Sequence, residues 1–380
     1  MAQPTATVSL RQAFARVYII DLAGQLVSSA DSAVLNAFQQ ASDNRARVVI
    51  LNLSQLAYKN SSGIKLLVKL LARSKAAGQR LFAAGLNEEY RNIFQVTQVD
   101  QAIPVYASEA DALRAAHDLL DTPDAPLCVA PVQSAVTKRP THSWAKPVER
   151  LNIPEVPAGA LALNVQGRQL FGPLQGFGQL WQKTYRIGLR NSELTPKQVI
   201  AIWKQNVPKL KPPQKRFYPS AAGIMPNELV LIDAQTLGGP ISTGVMVLYA
   251  GAESFTLMTP AGHPEAGWVT FSSYIEDGCT FAQVQVMARA GDPFYELAFR
   301  LAGSKVQDQI WTHVLTTLAA LLGTNGEVQM HKTLLDPKLQ WGRIWNIWYN
   351  AQLRTLLYRP IALLRWIGAR LGPNNRRGAT

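Results

Sequence analysis

With 380 residues, 47% of them hydrophobic and 17% charged, the chain can build two packed cores and is excluded from the disordered class. Two cysteines, Cys128 and Cys279, exclude a disulfide framework; with no apolar leader and no spanning run of roughly 18 residues, a protein of the reducing cytoplasm is expected. The formal net charge of +13 is concentrated at the end, where eight Lys and Arg and no acid lie between Lys338 and Thr380, so direct nucleic-acid binding is not expected.

Residues 17–22 (VYIIDL) predict a strand, and Ala23-Gly24-Gln25-Leu26 the turn that leaves it. A helix is expected over 31–40, where Ala33, Val34, Ala37 and Phe38 recur at helical spacing. Residues 48–53 (VVILNL) have the continuous apolar run of a strand buried on both faces. The loop NSSGI (60–64) follows, and then Ile64, Leu67, Val68 and Leu71 fall on one face of a helix that Gly78 closes. A third strand over 81–84, a short helix over 88–94, an edge strand near 103–106 and a helix over 108–120 complete the unit. Ser108 is expected as N-cap of that last helix, with Asp111 at N3. Strands alternating with helices point to an α/β domain with a mostly parallel sheet.

Residues 14–120 resemble a STAS domain, the fold of bacterial anti-sigma-factor antagonists. The resemblance is carried by VYIIDLAGQL (17–26), VVILNLSQL (48–56), NSSGI (60–64), KAAGQRLFAAGL (75–86) and FQVTQVDQAIPVY (94–106). It implies a partner that is an anti-sigma factor or related protein kinase. It also implies phosphorylation of the second serine of an Asp-Ser-Ser-Gly loop, which by position is Ser62. Here Asn60 stands where the family has Asp, so the carboxylate of the pattern is missing. From the residues alone, Asn60-Ser61-Ser62 reads as a helix cap worth about 1 kcal/mol. With the resemblance, Ser62, beside Ser61 and Asn60, becomes a candidate switch, and Lys59 would favour a phosphate there.

On the helix that follows, Lys65, Lys69 and Arg73 form a basic stripe edged by Leu66 and Leu70. With Lys59 it is a candidate surface for an acidic, partly apolar partner. The alternative is a helix packed on two sides, with both leucines buried.

Proline recurs through 121–176, which reads largely as a linker between a first domain at 1–120 and a second at 177–332. Alternation around Trp181, Tyr185, Ile187 and Leu189 predicts a strand, and Thr195-Pro196 opens a helix as N-cap and N1. Strands are expected over 229–234, 242–250, 254–259, 267–275 and 279–289, with Asp277-Gly278 as a hairpin turn. Helices follow from Asp292-Pro293 to about Gly303 and from Lys305 to Leu322.

That order, with STGVMVLYAGAESFTLMTPAGHPEAGWVTFS (242–272) and QVQVMARAGDPFYELAFRLAG (283–303), resembles the START/polyketide-cyclase-like helix-grip superfamily. An α+β domain with a curved antiparallel sheet around a long helix is implied. The resemblance also implies a cavity for a hydrophobic small molecule or lipid. Tyr249, Met258, His263, Trp268, Gln285 and Tyr295 are its candidate lining, unless they are simply core. No nucleophile, metal or phosphate-loop motif is present, so no catalytic residue, metal or cofactor is expected.

The tail, 333–380, places Trp341, Ile344, Trp345 and Trp348 on one α-helical face, and Pro360 should separate it from a second amphipathic stretch. The Trp face docks on the body, or the basic tail (338–380) meets an anionic membrane surface. The expectation is therefore a cytoplasmic, STAS-based transcription regulator with a phosphoswitch and a ligand-binding second domain. The alternatives are a cyclase- or hydrolase-like enzyme, or a peripheral-membrane lipid carrier, with the STAS unit as targeting module.

Overall fold

The computed structural model describes residues 7–25, 31–57, 62–121, 143–189, 194–236 and 238–358. Its first sheet comprises β1 (Thr7–Phe14), β2 (Val17–Gln25), β3 (Val48–Ala57), β4 (Arg80–Ala84) and β5 (Val105–Tyr106), in that order across the sheet. β2 to β5 pair in parallel, whereas β1 runs antiparallel to β2, so the sheet is mixed. β1 has no sequence forecast because it is a half-exposed edge strand whose apolar residues alternate with Ser9 and Arg11.

Alternation sends Ile20, Val49, Leu51 and Leu81 to one face, where α1 (Asp31–Asp43), α2 (Ser62–Ala76) and α3 (Glu88–Val96) cover them. Ile19, Val48, Ile50 and Phe82 point the other way, under α4 (Glu109–Asp121). Both faces are dry, which is why these strands read as unbroken apolar runs. Ser108 caps α4 as expected, its Oγ accepting the Asp111 N–H at 3.2 Å.

Within the expected linker, 122–142 lies outside the described residues. The rest, 143–176, is packed, which corrects that reading. Ala145 N–H donates to Leu248 O at 2.9 Å, Asn164 Nδ2 donates to Ser242 O at 2.8 Å, and Trp144, Leu151 and Val165 are buried. Prolines keep this stretch out of a ladder, so side-chain amides and isolated main-chain bonds hold it instead. It includes the two-residue β6 (Leu170–Phe171).

The second sheet is antiparallel. It comprises β7 (Leu180–Leu189), β8 (Lys215–Pro219), β9 (Leu229–Thr236), β10 (Gly239–Ala250), β11 (Ser254–Pro260), β12 (Glu265–Glu276), β13 (Cys279–Ala290) and β14 (Gln329–Asp336), with β6 added against β11. The spatial order is β14-β7-β13-β12-β11-β10-β9-β8. Asp277 and Gly278 both take positive φ in the β12–β13 hairpin, the conformation that Asp-Gly favours. Neither β8 nor β14 was legible, because both are short or exposed edge strands without a clean apolar row.

On the inner face, α5 (Pro196–Asn206) contributes Val199, Ile200 and Trp203, and α7 (Ser304–Leu321) contributes Val314, Leu315 and Leu318. Between β13 and α7 lie α6 (Pro293–Ala298) and a π-helical turn at Phe299–Gly303. A large antiparallel sheet carrying a long helix is compatible with the helix-grip expectation. Its outer face is equally apolar: Leu180, Met246, Leu248, Met258, Trp268 and Met287 share one buried cluster with the residues of α2 and α3. Three layers result, with α5 and α7 on one side of this sheet and the first domain on the other.

The described residues finish with a 3-10 segment at Trp341–Tyr349 and a helix over 351–358. This corrects the expected α-helical Trp face. Asn346, not a tryptophan, is the buried residue, and its Nδ2 donates to Gln175 O at 2.8 Å and Gly291 O at 2.9 Å. The body presents main-chain carbonyls here, and an amide carries two donors where an indole has one. The second amphipathic stretch lies outside the described residues.

Candidate functional site

The first candidate site is α2 and the loop before it. Lys59, Asn60 and Ser61 lie outside the described residues; Ser62 is the first residue of α2. Behind it Gly63, Ile64 and Leu67 face Tyr90, Ile93 and Phe94 around a void of about 20 Å³, room for little more than one water. The N-terminal turn of α2 contains no acidic residue, and a helix dipole favours negative charge at that end.

The expected partner-binding stripe divides. Lys65, Leu66 and Leu70 are buried, which corrects their assignment to an exposed surface. The second sheet covers them, and Lys65 Nζ donates to Gln285 Oε1. Lys69 is half-buried and pairs with Asp31 at 3.6 Å, while Arg73 is exposed. Of the two open readings, the helix packed on both sides is the one observed.

Burial pushes the Lys65 ammonium down to about 8; Asp31 opposes this, and Lys69 adds to it. Farther along the helix, burial and the field of Arg289 lower Lys75, with Asp336 opposing. Three more bonds cross the interface: Gln98 Nε2 to Leu170 O at 2.6 Å, Gln175 Nε2 to Gln101 Oε1 at 3.0 Å, and Asn92 Nδ2 to Ala145 O at 3.3 Å.

The expected cavity lining does not converge on one cavity. Met258, Trp268 and Gln285 sit on the outer face of the second sheet, toward the first domain, because the two-residue period puts Val269 and Phe271 inside instead. Tyr249 packs on Trp144 at 4.8 Å between ring centroids. Tyr295 lies in α6, its OH accepting the Gln352 N–H at 3.0 Å. His263 belongs to a turn in which its Nδ1 accepts the Glu265 N–H at 3.1 Å. Burial, with help from Lys215, pushes that imidazole down to about 3, so it is neutral.

Reasoning from sequence missed a polar cluster on the inner face, under the first half of α7. Gln307 bridges two charged groups: its Oε1 accepts from Lys183 Nζ, and its Nε2 donates to Glu265 Oε1. Ser304 Oγ takes another Lys183 proton at 3.1 Å, and Asp308 Oδ1 accepts the Tyr185 hydroxyl at 2.7 Å. Burial raises Glu265, with Lys183 and Lys215 opposing, and burial lowers both lysines. The signal was present: Lys183 occupies the same inward row as Tyr185 and Ile187, where a cation needs a partner.

Two polar atoms on this face, Thr243 Oγ1 and Trp311 Nε1, are buried without a hydrogen-bond partner among the described residues. Nearby along α7, Val306, Gln309, Ile310 and His313 border a cleft of about 240 Å³ against Pro212, Pro213 and Gln214. Among the described residues no group of His, Cys, Asp and Glu could hold a metal ion, and no helix is long and apolar enough to cross a membrane.

Compared with known families, residues 11–112 match the STAS domain. This part of the chain is a STAS domain. No curated protein matches the chain. Among solved structures, the phosphorylated form of the Bacillus cell fate determinant SpoIIAA is similar at 20% identity, covering 29% of this chain and 99% of that one with a TM-score of 0.26. An anti-sigma factor antagonist from Mycobacterium paratuberculosis matches at 21% identity over 30% of this chain and 96% of that one, TM-score 0.26. The di-domain aromatase/cyclase StfQ of the steffimycin pathway matches at 12% identity over 38% of this chain and 50% of that one, TM-score 0.30. At these values the structural likenesses carry no argument about activity. Within the STAS domain, helix α2 is the element shared with the second sheet.

Proposed function

We propose that this protein is a STAS-based regulator in which α2 is the coupling element between a switch loop and a ligand-binding domain. The partner is an anti-sigma factor or a related protein kinase, and it engages the loop at 59–62 and the exposed Arg73 side of α2. The carrying observation is the continuous core across the two domains, in which Lys65, Leu66 and Leu70 are held against the second sheet. A partner at the loop and the Arg73 side loads a helix whose other face the second sheet holds, so partner binding and interdomain docking are thermodynamically linked.

Phosphorylation of Ser62 would add about two negative charges at the N-terminal end of this shared helix. The charge is favourable for the helix itself and unfavourable for an acidic partner, so the modification releases the partner. The second domain is a helix-grip unit, and its ligand is a hydrophobic small molecule or lipid with a polar end. The Lys183–Gln307–Glu265 cluster and the unpartnered Trp311 Nε1 support a site beneath α7.

The test is capture of the full chain from its own cells with phosphate mapping of Ser61 and Ser62, then the same capture with Ser62→Ala and Ser62→Asp. Phosphate on Ser62, partner retention by the Ala variant and loss by the Asp variant are expected. Equal capture by both variants, with no phosphate on either serine, refutes the switch.

A second reading, a cyclase- or hydrolase-like enzyme, is favoured by one observation: a carboxylate whose proton affinity burial raises stands near two lysines whose proton affinity burial lowers. Mass spectrometry of the small molecule released from denatured protein separates the two. An unaltered lipid favours sensing, and a mixture of precursor and cyclised or hydrolysed product favours catalysis.

A further inference from the structure

The 3-10 segment at Trp341–Tyr349 inverts the usual packing rule. Its amides face inward and its indoles face water: Trp341, Trp345 and Trp348 are 65%, 69% and 72% exposed. Three exposed tryptophans within eight residues are not the scattered surface apolar groups of an ordinary protein.

The segment is held firmly from below. Asn346 donates to two buried carbonyls, and Asn350 Nδ2 donates to Asp292 Oδ2 at 2.8 Å. In the following helix Thr355 Oγ1 accepts the Ser242 N–H at 3.1 Å, and Ala351, Gln352 and Thr355 are buried. The indoles are therefore presented from a fixed base. α6, packed alongside, adds exposed Phe294 and Leu297.

Charge decides what this face fits. Arg343 and Arg354 are exposed, partial burial and then the field of Arg354 weaken the Arg168 guanidinium's hold on its proton, and no acid occurs in sequence from Lys338 to Thr380. A protein partner's apolar pocket would not need such a one-signed rim. A lipid headgroup layer does, since indole rings sit at the headgroup level while arginines neutralise anionic lipids.

We propose that the Trp341–Trp348 face is a docking surface for an anionic lipid bilayer, on which the protein lies peripherally. The indoles enter the headgroup region, and exposed Arg343 and Arg354 supply long-range attraction. Binding then has two separable components, one that salt screens and one that indole removal abolishes.

The experiment is vesicle flotation of the full chain and of its W345A/W348A variant. Vesicles are phosphatidylcholine alone or phosphatidylcholine with about 30% phosphatidylglycerol, at about 0.1 M and about 0.5 M salt. Both indoles are solvent-exposed, so the variant should keep the wild-type melting temperature, which is measured alongside. The expected result is wild-type flotation only with anionic vesicles at low salt, and loss of about tenfold or more in the variant.

Absence of wild-type flotation, equal flotation of the variant, or equal binding to phosphatidylcholine alone overturns the proposal. So does a concentration-dependent dimer that the variant abolishes without any vesicle binding, which would make the face a contact between copies of this chain.

Discussion

Lys65→Met tests the two-domain interface most directly. In the docked chain the ammonium sits between α2 and Gln285, and burial lowers it from 10.5 to about 8. At neutral pH the charged form therefore carries a cost of about 3 kcal/mol that is relieved by undocking or unfolding. Methionine has nearly the same length and no charge, but it leaves Gln285 Oε1 without its donor, a loss of about 1 kcal/mol. The net expectation is a gain of roughly 2 kcal/mol at pH 7.

The pH dependence follows from the same shift. A lysine lowered in the folded state contributes most above its ordinary value. That contribution falls as pH drops from 10.5 toward about 8 and is constant below. Denaturant unfolding of both proteins at neutral pH and at about pH 10 checks this, because the variant's advantage should shrink toward zero or reverse at the higher pH. A variant less stable at pH 7, or an advantage independent of pH, would refute a buried, strained cation at this interface.

The neutral His263 makes acid destabilising. With its proton affinity lowered from 6.5 to about 3, stability present above 6.5 is lost as pH falls through that window. His263→Asn, whose Oδ1 can still accept the Glu265 N–H, should flatten unfolding free energy between about pH 6.5 and 4 by roughly 3 kcal/mol. Asn346→Ala removes two donors from the base of the tryptophan segment and should cost about 2 kcal/mol locally, read as faster limited proteolysis within 338–358 and slower loss of the rest.

Much of the architecture was legible in local patterning. VVILNL has to be a strand with two dry faces. Thr195-Pro196 and Ser108 have to open helices, and Asp277-Gly278 has to turn a hairpin, because each is set by backbone sterics or by a cap within four residues. Edge strands such as β14 were not legible, since half-exposed backbone pairs without demanding an apolar row.

The α2 face shows the limit most clearly. Leu66 and Leu70 state that something apolar lies beside the helix, but periodicity is the same whether the cover is a partner or another part of the same chain. Lys65 looked like a surface charge because only a residue 220 positions away makes it a buried one. The tail carries the same lesson in reverse, with the tryptophans left in water because the body offers carbonyls that amides satisfy better. The sequence alone determined the alternating strands and helices of the first domain, the Asp277-Gly278 hairpin of the second and the one-signed charge of the tail, since these rest on short-range pattern and composition. Only the tertiary structure decided which apolar face meets which, because docking is set by contacts between residues that the chain keeps far apart.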